Sequence, residues 1–148
     1  MATTPNSALK TPWHLWVVGG LSLLWNLGGA FDFFMTQTKN ATYLKAMTPG
    51  QLVFVNSLPF WVVALWGLAT WCAPLGSLLL LMRRRVAVSV FLVSLVSMVL
   101  MTIHNYGFTN ISEVMPGPGA KIFTGIIFIV ALLLWIYARK QCRRGVLR

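Results

Sequence analysis

Acidic residues are nearly absent from this chain. Its 148 residues contain Asp32 and Glu113 as the only acids, against twelve lysines and arginines. Charged residues of both signs make up 9%, where a soluble domain averages about 25%. So little charge leaves too few polar groups to cover a water-soluble globule. Cysteine is scarce as well. Cys72 falls in a long apolar stretch and Cys142 in a basic tail, so no disulfide is expected. Neither stands at a metal-ligand spacing. Helix-borne Glu-x-x-His and His-x-x-Glu-His patterns and the Gly-x-Ser-x-Gly pattern are missing. One intramembrane acid and two distant histidines are a thin catalytic inventory. No enzyme and no cofactor is expected on this ground.

What fills the chain instead is uncharged sequence. Residues 11–31, 46–82, 86–112 and 122–138 carry no Asp, Glu, Lys or Arg and are rich in Leu, Val, Ile, Phe and Trp. A helix needs about 20 mainly apolar residues to cross a bilayer core. The expected fold is therefore all-α: one polytopic four-helix transmembrane domain over residues 1–148, with spans at about 12–37, 58–82, 86–106 and 121–138. The apolar run after Lys10 continues through Phe31, which favours a retained first helix over a cleaved signal peptide.

Local signals set the ends of these helices. Thr11 is placed to cap the first and Pro12 to start it. Thr48-Pro49-Gly50-Gln51 has the form of a capping box and predicts a short interfacial helix to about Ser57. Pro59 then breaks or bends the chain, and Pro74 predicts a second bend because it cannot donate to the Thr70 carbonyl. Arg83, Arg84 and Arg85 form a very short connection, so the second and third spans make an antiparallel hairpin.

The basic residues are distributed unequally. Lys10, Arg83, Arg84, Arg85, Arg139, Lys140, Arg143, Arg144 and Arg148 fall at one end of a four-span bundle; Lys39, Lys45 and Lys121 fall at the other. The positive-inside rule then predicts both termini in the cytoplasm, with loops 38–57 and 107–120 outside. The net charge of +10 is read as topological and as a contact with anionic lipid. It is not read as a nucleic-acid footprint, because no recognition motif accompanies it.

Glycine and small polar residues suggest how the helices meet in lipid. Gly28 and Gly29 share a face with Asp32, and this face is expected to approach another helix. Asn26 lies near mid-helix and is expected to make an interhelical hydrogen bond. Ser94 and Ser97 are placed to do the same on the third span. Asp32 lies about 28 Å along the first helix from Trp13, at 1.5 Å per residue. His104 reaches a comparable depth on the third span. Asp32, His104, Asn105, Tyr106 and Asn56 thus form a candidate outer polar pocket for an ion or polar ligand. The alternative is an ordinary hydrated helix end.

The run Trp13-His14-Leu15-Trp16-Val17-Val18-Gly19, then Trp25-Asn26, Gly29-Ala30-Phe31-Asp32 and Thr36-Gln37-Thr38, resembles a family of short four-helix bacterial inner-membrane proteins. Thr48-Pro49-x-Gln51, Pro59 and Gly76-Ser77-Leu78-Leu79-Leu80-Leu81 fit the same pattern, so the resemblance covers about residues 11–107. It implies a bacterial inner-membrane location. Some members carry the label "sugar transporter". Three functions remain open. A non-catalytic accessory or structural membrane protein, as a homo-oligomer or within a larger membrane complex, leads. A small-solute, sugar-like transporter with an outer pocket follows, and an intramembrane enzyme comes last.

Overall fold

In a computed structural model, the structure describes residues 10–148; residues 1–9 of the expected domain lie outside the described residues. Seven helices and no strand occur among the described residues. Four of the helices are long and apolar enough to cross a membrane: α1 (Trp13–Gln37), α4 (Phe60–Leu81), α5 (Val86–Gly107) and α7 (Pro118–Arg143). The short helices α2 (Ala41–Leu44), α3 (Pro49–Ser57) and α6 (Ile111–Val114) lie in the two loops at one end of the bundle. This is a helical membrane protein.

Most helix ends follow from local chemistry. Thr48 accepts from the Gln51 amide, and the Gln51 side chain accepts from the Thr48 amide, so α3 starts in the predicted capping box. Leu58 is extended and Pro59 is the N-cap of α4, which separates the interfacial helix from the span. Pro74 is buried inside α4, which continues through it to Leu81. At α1 the expectation needs correction. Pro12 is itself the N-cap, and Thr11 caps nothing: its hydroxyl accepts from Arg83 Nη1 at 2.8 Å. α7 is longer at both ends than its apolar run. Pro118 fits the first turn, and the basic residues through Arg143 suit the negative end of a helix dipole.

Three helices end in the same motif. After α1, α4 and α7 the chain passes through Lys39, Arg83 and Gly145 at φ of 52°, 57° and 73°. In each, the next amide reaches back five residues: Asn40 to Met35, Arg84 to Leu79 and Val146 to Gln141. These are Schellman closures, which satisfy the last carbonyls and reverse the chain in few residues. The closure after α7 sends the tail back under the α4–α5 turn. The Arg148 amide donates to the Arg83 carbonyl at 2.7 Å, and the Arg85 amide donates to the Arg148 carbonyl at 3.0 Å. Leu147 is thereby fully buried.

The dense packing lies at this basic end. Leu15, Leu80, Ala87, Phe91, Leu134, Ala138, Val146 and Leu147 form one buried cluster. Gly76 permits it: a Cβ there would stand 2.8 Å from the Phe91 ring. Gly19 faces Leu81 at 2.5 Å on the same test. The two substitutions should nevertheless differ. Phe91 is locked in the cluster, whereas the end of the Leu81 side chain is flexible and partly exposed. Gly76→Ala is expected to destabilise by about 1–3 kcal/mol through overpacking, and Gly19→Ala by less. Thermal unfolding of the two variants in detergent checks the order.

Candidate binding cavity

Below the loops the four spans separate and leave a partly open cavity of about 770 Å³. Its floor is a polar seam between α1 and α4. Asn26 Nδ2 donates to Ser77 Oγ at 3.1 Å, and Ser77 donates onward to the Ala73 carbonyl at 3.1 Å. The Ser22 hydroxyl lies 3.0 Å from Ser77 Oγ and 3.1 Å from the Gly19 carbonyl. Asn26 therefore makes the interhelical bond its depth in the first helix suggests. Across the α4–α5 contact, Ser94 Oγ donates to the Ala69 carbonyl at 2.6 Å.

The cavity walls come from all four spans. Trp66 and Thr70 project from α4, Met98 and Met101 from α5, and Phe123 and Thr124 from α7. Trp25 of α1 closes toward Phe123, with ring centroids 6.4 Å apart. Gly28 and Gly29 also line this space. The expected close helix approach at these glycines is thus not made: a Cβ at Gly28 would meet nothing within 4 Å, and one at Gly29 would only touch Thr70 at 3.8 Å. The glycines enlarge a hollow, and close approach occurs at Gly19 and Gly76 instead.

Asp32 stands at the loop end of the cavity, and its partner is Tyr43. The Tyr43 hydroxyl donates to Asp32 Oδ1 at 2.5 Å. Local structure accounts for this contact. The closure after α1 reverses the chain, and the Asn40 side chain then accepts from the Tyr43 amide at 3.0 Å, starting α2. One helical turn carries the phenol back over α1, edge-on to Phe31 at 5.9 Å. The hydrogen bond from Tyr43 to Asp32, together with burial and the nearby carboxylate charge, pushes the Tyr43 pKa up from 10.0 to about 12.

The other residues of the expected outer pocket lie elsewhere. His104 packs edge-on against Trp61 at 4.9 Å and stacks on Phe108 at 6.3 Å. Its Nδ1 is 3.3 Å from Asn105 Oδ1. Asn56 donates to the Leu52 carbonyl of its own helix at 2.8 Å, and Tyr106 is exposed. Asn105 is buried. None of these four lines the cavity, and His104 makes no hydrogen bond to Asp32 among the described residues. For His104 the reason is helical phase. Ser94, Met98 and Met101 turn one face of α5 inward, and His104 falls about 100° away from the continuation of that face at Asn105.

At the opposite end, Arg83, Arg84, Arg85, Arg139, Lys140, Arg143 and Arg144 gather around the α4–α5 turn and the end of α7. Arg85 Nε donates to the Leu147 carbonyl at 3.2 Å, and Arg139 lies 5.4 Å over the Trp135 ring. His14 Nδ1 meets the Tyr137 hydroxyl at 2.5 Å, joining α1 to α7. Cys72 and Cys142 are both free. A second, shallower depression of about 520 Å³ lies between α3 and α6, and no titratable side chain lines it.

The fold and site define a four-span membrane protein with an apolar, aromatic cavity and a single carboxyl group at its mouth. Comparison with protein-family models, curated proteins and solved structures finds no match to the chain.

Sequence reasoning passed over Tyr43 and the cavity-lining aromatics. The Asn40-Ala41-Thr42-Tyr43 run carried a usable signal, since Asn is a strong N-cap. The raised phenol fixes the sign of a pH effect. Its contribution to stability is complete below the ordinary phenol range and is lost as the pH rises through about 12. Phenolate absorbance should show a late-titrating tyrosine that is absent in Tyr43→Phe and moves back toward 10.0 in Asp32→Asn.

Proposed function

We propose that this protein binds and carries a small, largely apolar solute within the membrane. The observation that carries the reading is the partly open cavity of about 770 Å³ lined by all four spans. A purely structural accessory role gives no account of a hollow where helices would otherwise pack, because close packing is what holds helices together in lipid. The volume falls within the range of small-molecule sites, about 300–1,000 Å³.

The lining argues for the chemistry of the solute. A sugar requires a donor or acceptor for nearly every hydroxyl, since unpaired polar groups are unfavourable away from water. Of the four Ser and Thr hydroxyls that line the cavity, three donate to helix carbonyls, Thr70 to Trp66 and Thr124 to Ala120, both at 2.9 Å, and Ser94 to Ala69 at 2.6 Å, which leaves Thr102 alone. The Asn26 amide is likewise engaged by Ser77. Tryptophan, phenylalanine and methionine surfaces remain, and these suit an aromatic or aliphatic body.

Gly28 lines the cavity and a Cβ there meets nothing within 4 Å, so Gly28→Phe is expected to fill part of the hollow. With the protein in lipid nanodiscs, bromobenzene is expected to quench wild-type tryptophan fluorescence with a saturable component. Gly28→Phe should remove that component and retain the helical signal. Linear quenching identical in both proteins would refute a binding cavity.

The gathering of basic residues at one end supports a bacterial inner-membrane orientation with both termini in the cytoplasm, the basic rim meeting anionic lipid. In a background with both native cysteines replaced by serine, Lys45→Cys should react with an impermeant thiol reagent on intact cells. Lys140→Cys should react only after lysis. The reverse pattern would invert the topology.

A further inference from the structure

Resting on the cavity reading above, we propose that the solute is an organic monocation, a quaternary or protonated amine on an apolar body, with Asp32 as its counter-ion. The charge distribution is the first argument. The chain carries a net charge of +10 and only two acids, yet one of those two lines the cavity while no lysine, arginine or histidine does. A bundle this basic has no general bias toward cations; the bias is local to this hollow. An anion would find no cationic side chain there, and a neutral solute would leave the carboxyl group without an ionic partner.

The geometry of Asp32 is the second argument. Tyr43 occupies Oδ1 and holds the carboxyl group in place from the loop side. Oδ2 accepts no hydrogen bond from any described residue. Ionisable groups within spans are unfavourable unless they face water, a partner or a ligand, and here the group faces the cavity. The third argument is the aromatic lining. Tyr43 bonds Asp32 itself and Trp66 packs on Phe33, the residue next to Asp32, while Trp25 lines the wall about two turns deeper on α1. Their ring faces attract a cation that is too bulky to hydrogen-bond, and the attraction strengthens as water is excluded. Met98 and Met101 line the α5 wall, where polarizable thioethers accommodate the apolar body. Asp32 lies near the end of its span, so the charged head stays close to water while the body lies in the bundle.

Benzyltrimethylammonium and neopentylbenzene test this directly. They have the same shape and differ in that a nitrogen cation replaces a carbon. Binding is read as saturable change in tryptophan fluorescence of the full chain in phosphatidylcholine nanodiscs, with protein-free nanodiscs as the blank. The cation is expected to bind at least tenfold more tightly than its neutral twin. Asp32→Asn should remove at least tenfold of the cation's affinity and leave neopentylbenzene unchanged. Tyr43→Phe, which keeps the Asp32 side chain, should retain the preference for the cation. Should Asp32→Asn fail to fold, the wild-type comparison of the two ligands decides the question. Equal affinities for both ligands, or cation binding indifferent to Asp32→Asn, would overturn the cation assignment while leaving the cavity reading intact. If neither compound saturates and Gly28→Phe changes nothing, the cavity reading falls and the cation assignment with it.

Discussion

Hydrocarbon offers no hydrogen bonds, and most polar features of this protein answer to that constraint. The spans satisfy nearly all of their backbone internally, the Thr70 carbonyl facing Pro74 being an exception. Several side chains that interrupt the apolar surface are paired across helices: Asn26 and Ser22 with Ser77, and Ser94 with the Ala69 carbonyl. Asp32 is met by a phenol returning from the loop. These bonds fix how α1, α4 and α5 are rotated against one another. Because lipid is as apolar as leucine, burial alone supplies little preference for one rotation over another.

The two ends of the bundle divide the remaining work. At the basic end, Schellman closures after α4 and α7 bring the chain back so tightly that the C-terminal tail pairs with the α4–α5 turn. Phe91 against Gly76 and the buried Leu15, Leu80 and Leu147 make this the rigid half. Toward the loops α1 and α7 no longer pack closely. His14 and Tyr137 join them at the basic end, and Trp25 with Phe123 bridges them beside the cavity. A tight base and an open upper half give a hollow with stable walls, which a binding protein requires more than a structural one does.

The expected pocket and the observed cavity share Asp32 but differ in their other members, and the difference is instructive. Depth along a helix follows from counting residues, and both Asp32 and His104 lie near the same end of their spans. Direction does not follow from counting when almost every neighbour is apolar. Ser94, Ser97 and Asn105 do mark the buried face of α5, and His104 lies off it, so the helical phase was a usable signal that depth alone ignores. The His104 ring packs between Trp61 and Phe108. The glycines teach the same lesson. Gly28 and Gly29 resemble a close helix contact in sequence, yet a Cβ at Gly28 meets nothing within 4 Å and one at Gly29 only ordinary contact with Thr70, whereas Gly19 and Gly76 carry the close approaches.

By itself the sequence determined the solvent, the number of crossings, the approximate ends of the spans and the basic rim. Run length, capping residues and charge placement act over a few neighbouring positions, and each can be evaluated without knowing what else is nearby. Tertiary structure alone decided that Tyr43 reaches Asp32, that Asn26 finds Ser77, that His104 turns aside, and that four spans line a partly open hollow. Those outcomes depend on the mutual rotation and spacing of helices far apart in the chain. In a membrane, small-residue contacts and a few hydrogen bonds set that arrangement, while the uniformly apolar surfaces carry almost no directional mark.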